Sequence, residues 1–301
     1  MSPATRSSFS LFGVVLIIFV AISFATNSTL ARISYDYGAT PLSVVTWRTA
    51  LAAFSVFVIL KLWQVPMVLP VRIRWTAIGM GALVAIYSYG LLGSIQHIPV
   101  ALAVLTFYLY PILTSIGSWA LGQERMTLRI MVCLIAAFIG LGTALDIVGS
   151  FNFVGISMAS GAAVVFTVIL LITNNLVAGQ DSRPISLHML SSATVIYIMI
   201  NLYVNDVSLP SSVEGVAAYI GAGIFYAFAI IGMFVGIAKI GAIRTALLMN
   251  LEPVASIVLG VILLDQILTP LQLAGAGLVI GAIVVAAVGK DPKGRKAGSG
   301  P

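Results

Sequence analysis

The sequence predicts an all-α, polytopic membrane protein of ten transmembrane helices in two inverted five-helix repeats. Three observations predict it. The chain is 60% hydrophobic and only 8% charged, where a soluble domain carries about 25% charged residues. Ten apolar stretches approach the roughly 20 residues that a helix needs to cross a bilayer. A long local pattern also recurs at an offset of 142 residues. It reads VLTFYLYPILTSIGSWALGQERMT around Pro111 and ALLMNLEPVASIVLGVILLDQILT around Pro253. That offset carries Leu105 onto Leu247, Leu109 onto Leu251, Pro111 onto Pro253 and Thr127 onto Thr269, and further upstream Gly90 onto Gly232.

The stretches run in order 11–32, 42–62, 75–95, 99–122, 128–146, 153–176, 186–204, 216–238, 243–264 and 270–289. Their lengths favour helices, since a barrel strand needs only about 10 residues. The first is too long for the apolar core of a signal peptide, and the five-plus-five count requires it. The second contains Arg48, the third Tyr87, Gly90 and Ser94 along one side. The fourth and ninth each carry a lone mid-span proline. Gly232 with Gly236, and Gly277 with Gly281, have the spacing that lets helices in lipid approach closely. No connection exceeds about 13 residues, so no soluble domain is expected. The expected division is a first repeat over 1–150, a second over 151–290 and a basic cytoplasmic tail over 291–301.

An odd number of spans per repeat turns the second repeat upside down. The cations agree. With the N-terminus inside, 13 of the 15 Lys and Arg residues fall on the cytoplasmic side, from Arg6 through Arg74, Arg125, Arg183 and Lys239 to Lys296. Outer connections carry Asp36, Asp146, Asp206, Glu214 and Asp265 instead. This is the positive-inside pattern. The net charge of +6 is therefore a topology signal and not a nucleic-acid surface, although the basic tail can touch anionic headgroups. The expected location is the bacterial inner membrane, with both termini cytoplasmic.

Mid-helix prolines delete a backbone hydrogen bond and displace the carbonyl one turn back. In lipid that carbonyl must be satisfied by protein or by a wet cavity, and paired interrupted helices mark a transporter's binding site. Pro111 and Pro253 are thus the expected helix breaks or gates. Polar residues gather beside them: Tyr108 and Tyr110 on the fourth span, and Asn250, Glu252 and Ser256 on the ninth. With Asn27 on the first span and Tyr87 on the third, they form the expected substrate cavity. Arg48 and Glu252 are the ionisable residues well inside spans, where a charge is expensive. Arg48 is expected to be structural, snorkelling or bonding carbonyls. Glu252 has three open roles: ligand for an ammonium, carrier of a proton, or local bond near the Pro253 break.

These motifs resemble the EamA family of the drug/metabolite transporter superfamily, over nearly the whole chain. The resemblance rests on Arg48, on Leu109-Tyr110-Pro111, on Gly122 to Arg125 (GQER), on Leu251 to Ser256 (LEPVAS) and on the run from Thr269 (TPLQLAGAGLVIGA). Asp265-Gln266 stands where the family has Gly-Glu, so that second Glu is not essential here. Within the family the chain is most similar to YddG-type exporters of aromatic and other amino acids. The resemblance implies ten helices around a central cavity, alternating access and export from the cytoplasm.

The residue chemistry favours small zwitterions or lipophilic cations. A phosphate carrier would place clustered Lys or Arg deep in its cavity, and no such cluster occurs inside the spans. Tyr and Trp faces attract ammonium groups. Amino acids are therefore the expected substrates, with organic-cation drugs as the alternative and a channel or lipid scramblase as an alternative of another class. Catalysis is not expected, because His97 and His188 lack an evident Ser or Asp companion. No cofactor or metal is expected: Cys133 is the single cysteine. Gly221-Ala-Gly223 and Gly275-Ala-Gly277 follow no strand and lack a P-loop Lys, so nucleotide binding is not expected. The expected partners are the small-molecule substrate and membrane lipids, with the chain a monomer or weak dimer.

Overall fold

The computed structural model describes residues 11–94, 97–98, 100–124, 126–145, 152–176, 181–205, 208–264 and 269–288. Twelve helical segments account for almost all of them: α1 (Leu11–Asp36), α2 (Pro41–Leu62), α3 (Val71–Ser94), α4 (Val100–Phe107), α5 (Tyr110–Ala120), α6 (Leu128–Ala144), α7 (Phe153–Leu176), α8 (Ser182–Val204), α9 (Val213–Ile240), α10 (Ala242–Met249), α11 (Leu251–Leu264) and α12 (Pro270–Val288). The expected division near residue 150, the basic tail, and Arg6, Arg125, Asp146, Asp206, Asp265 and Gln266 lie outside the described residues. Seven described helical runs are long and apolar enough to cross a membrane; α6 and α12 are shorter apolar helices. The chain is a multi-pass membrane protein.

Local chemistry sets the helix starts. Thr40, Thr127, Asp181 and Ser212 each accept a backbone N–H from the first turn of α2, α6, α8 and α9, which satisfies donors that a helix start leaves open. Gly241, at φ 85°, ends α9 and begins α10 without a linker. That left-handed conformation suits glycine.

Helix packing depends on small residues, as expected where lipid tails compete with apolar contacts. The helix α1 packs along α9, and a Cβ on Gly232 would lie 2.6 Å from Val20 Cγ2. A Cβ on Gly140 of α6 would stand 2.8 Å from the Gly275 carbonyl of α12, so these two backbones nearly touch. Gly277 and Gly281 do not serve this purpose. Nothing lies within 4 Å of where their Cβ atoms would be, and Gly275, one helical face away, makes the close approach instead.

The pairings come in matched sets. Helix α1 packs on α9 as α7 packs on α3; α2 packs on α9 as α8 packs on α3; α2 packs on α8, and α6 on α12. The broken helix α10–α11 lies against α1 as α4–α5 lies against α7. Both breaks therefore face the middle of the bundle.

Candidate functional site

The two breaks surround the first half of the site. Proline lacks the N–H that would bond the carbonyl four residues back, so Pro111 releases Phe107 O and Pro253 releases Met249 O. At the second break Asn250 N bonds Leu247 O, three residues back, at 3.2 Å. The Asn250 side-chain amide then donates to Ala246 O at 3.2 Å and to Leu247 O at 2.9 Å. Asn250 thus seals its own break. The Tyr108 hydroxyl comes from the first break and donates to Glu252 Oε2 at 2.9 Å, with Met249 O 3.5 Å away. That carbonyl is the one Pro253 releases. At the first break Leu109 N bonds Thr106 O at 3.2 Å, and the Thr167 hydroxyl of α7 donates to Tyr110 O at 3.4 Å.

A continuous aromatic wall begins at Tyr108. Its ring lies 5.5 Å from Tyr110 and 6.0 Å from Phe107. Phe166 of α7 packs edge-on against Tyr110 at 4.8 Å and against Tyr87 of α3 at 4.9 Å. Tyr87 and Phe107 stack at 6.1 Å. These are ordinary aromatic pair separations. Tyr87, Phe107, Glu252 and Ser256 keep partial exposure, whereas Tyr108, Tyr110 and Asn250 are buried.

Beyond Tyr87 lies a second polar centre, built on Arg48 of α2. The guanidinium sits over the Tyr226 ring of α9, 4.5 Å from its centroid. In the amide orientation that satisfies both of its ends, Asn27 donates to Ala222 O at 3.1 Å and accepts from Arg48 Nη1 at 3.3 Å. Tyr35, Tyr87 and Tyr197 also lie within electrostatic range of the guanidinium. Among the described residues the guanidinium contacts are thus an aromatic face and a side-chain amide. Arg48 makes no ion pair with Glu252: the ion pairs among the described residues are Arg32 with Asp36 and Arg183 with Asp181.

One end of the bundle is tied by the connection between α5 and α6. Glu124 Oε1 accepts from Ala242 N at 2.7 Å and Ile243 N at 3.3 Å, so it caps α10, which has no side-chain cap of its own. Burial pushes the Glu124 carboxyl above the usual carboxylate range, against the two N–H groups and Arg244 that favour its charge. Gln123 beside it accepts from Asn174 Nδ2 at 2.9 Å and donates to Leu171 O at 3.3 Å. Cations crowd this end, with Arg244 on α10 and Lys239 on α9.

The sequence profile of the EamA-like transporter family matches this chain twice, over residues 11–145 and 153–288. The chain belongs to the EamA-like transporter family. It is 23% identical to the uncharacterized transporter sll1319 of Synechocystis sp., over 93% of this chain and 94% of that one. A solved crystal structure of a protein of unstated function superposes with a TM-score of 0.75 at 21% identity, covering 93% of this chain and 99% of that one. That likeness establishes the fold.

In this EamA-like transporter the sequence-derived site residues divide into four groups. Tyr87, Tyr108, Tyr110 and Glu252 share one aromatic and acidic surface, with Ser256 one turn beyond Glu252. Asn250 turns back on its own helix. Asn27 lies elsewhere, with Arg48. Pro111 and Pro253 sit buried at the breaks. Sequence reasoning passed over Tyr197, Tyr226, Phe107 and Phe166. The tyrosines had a signal, being polar-tipped residues in the middle of apolar spans. The phenylalanines had none, because Phe is common on every face of a membrane helix.

Proposed function

We propose that this chain exports amino acids, aromatic ones among them, across the bacterial inner membrane as a secondary transporter working by alternating access. The observation that carries the reading is Glu252, partly exposed and held by Tyr108, beside a wall of Tyr and Phe rings. An acid against aromatic faces suits an ammonium group, and the rings offer area to an apolar side chain. The paired helix breaks are where such carriers place substrate. The matched helix pairings and the two family matches support an inverted-repeat arrangement with domains near 1–150 and 151–290. The distribution of Lys and Arg supports cytoplasmic termini. The chain acts as a monomer or weak dimer among membrane lipids, without a cofactor.

The test is counterflow of labelled amino acids in proteoliposomes, with and without a pH gradient. Saturable counterflow supports the proposal; linear, non-exchanging flux would identify a channel. The same acid and aromatic wall also suits a lipophilic cation without a carboxylate, so organic cations belong in the competitor panel. If they compete and amino acids do not, the chain is an organic-cation exporter. Topology is tested separately with cysteines at Arg74 and Arg183, expected to be shielded from impermeant reagents, and at Asp36 and Asp206, expected to label.

A further inference from the structure

A guanidinium inside a membrane protein is expensive unless its charge is answered. Arg48 is answered only in part. Its ring partner, Tyr226, contributes a cation–π contact at 4.5 Å, and Asn27 accepts from Nη1 at 3.3 Å. Arg48 Nε is buried without a hydrogen-bond partner. Among the described residues no carboxylate lies within ion-pair distance of Arg48. Its surroundings come from four other helices: Asn27 and Tyr35 on α1, Tyr87 on α3, Tyr197 on α8 and Tyr226 on α9, around Arg48 on α2.

The neighbours are committed in ways that leave the guanidinium as the free valence. The Tyr197 hydroxyl points to Val84 O at 3.4 Å. Asn27 spends its amide N–H on Ala222 O. Arg48 as a residue keeps partial exposure. It is also contiguous with the proposed cavity, because Tyr87 both feels the Arg48 charge and stacks on Phe107 in the aromatic wall.

We infer that Arg48 is the anchor for a substrate carboxylate, which supplies the missing counter-charge when substrate binds. This rests on the amino-acid reading and deepens it. Guanidinium and carboxylate match in geometry and form paired N–H···O bonds. An α-amino acid offers its carboxylate to Arg48, and its side chain extends from there onto the neighbouring rings of Tyr87 and Phe166. Arg48 thereby becomes the residue that separates amino acids from simple amines, which Glu252 and the aromatic wall alone would not do.

The experiment is competition and thermal-shift binding with purified full-length protein. The probes are an aromatic amino acid, its amide, the corresponding amine, and the matching aromatic carboxylate without an ammonium. Wild type is expected to prefer the acid over its amide by at least about tenfold, the scale of a charge-assisted hydrogen bond. Arg48→Gln is expected to abolish that preference while leaving amide and amine binding within about twofold. Arg48→Lys is expected to retain part of it, because charge remains but the paired geometry is lost.

Equal binding of acid and amide by wild type overturns the inference without any variant. So does an Arg48→Gln protein that folds and keeps the tenfold preference. If amino acids neither exchange nor bind but the aromatic carboxylate binds in an Arg48-dependent way, the amino-acid reading fails and the carboxylate anchor stands. If amino acids exchange and the amide competes equally, the anchor fails and the export reading stands.

Discussion

The two helix breaks occupy matching positions in the sequence and do opposite things with their polar residues. Tyr108 and Asn250 stand at the same place before their prolines, 142 residues apart. Tyr108 reaches out of its own half and donates to Glu252 and towards the Met249 carbonyl of the other. Asn250 bends back and closes two carbonyls of its own helix. The acid stands on one side alone: Glu252 has Tyr110 as its counterpart. Matching backbone positions thus carry unequal chemistry. The first break supplies a hydroxyl and rings, and the second supplies the charge. Under the proposed export function, this difference is what would give the substrate one orientation.

The largest effect should come from the charge itself. Glu252→Gln keeps shape and an acceptor for Tyr108 but removes the anion. The half-saturation concentration for amino-acid counterflow should rise about 10- to 100-fold, since hydrogen bonds to charged groups contribute about 1.5–3 kcal/mol. Substrates lacking an ammonium should change little. Loss of gradient-driven transport with exchange retained would assign Glu252 to proton carriage instead. Unchanged kinetics across pH would return it to a local structural role and erase the functional half of the comparison.

Asn250→Ala should show the opposite balance, losing stability more than affinity. Ala246 O loses the side-chain donor and Leu247 O keeps only the backbone one, at about 1–3 kcal/mol, which lowers the thermal midpoint in detergent. A variant with wild-type stability but weakened binding would move Asn250 into the substrate cavity and make the two breaks alike.

The cap on α10 gives a smaller effect with a defined pH sign. Removing it in Glu124→Ala should cost about 1 kcal/mol of stability. Burial raises the folded-state pKa of Glu124 above its ordinary value, so the folded chain holds this proton more firmly than the unfolded chain. In the window between those two values, acidification strengthens the fold through this group, and the gain fades as pH rises through the folded value. Glu124→Gln resembles the protonated form. It should keep most of the stability and flatten that segment of the pH profile. A large loss in Glu124→Gln would show that the anion is what holds α10.

The smallest effect is expected from Tyr108→Phe. It keeps the ring in the aromatic wall and deletes the 2.9 Å bond to Glu252. A loss of about 1 kcal/mol, or roughly fivefold in affinity, is expected. If Tyr108→Phe weakens transport as much as Glu252→Gln, the hydroxyl and the acid act as one unit.

The membrane class, the apolar helices and the position of both breaks were legible in the sequence. All of these are local properties: apolar length sets a span, and a proline interrupts a helix wherever it falls. The inward-facing acid was legible too, because a carboxylate within an apolar span has few places to go. What a side chain does once inside was decided by tertiary structure. Asn250 and Tyr108 carry the same positional signal, yet one has its backbone carbonyls within reach and the other has Glu252, 144 residues away. Glu124 caps a helix that starts 118 residues further on. Arg48 meets rings and amides from four other helices. In lipid, apolar patterning does not tell one helix face from another, because tails and side chains are equally apolar. Which faces meet depends on close contacts such as Gly140 against Gly275, and those contacts place the polar partners.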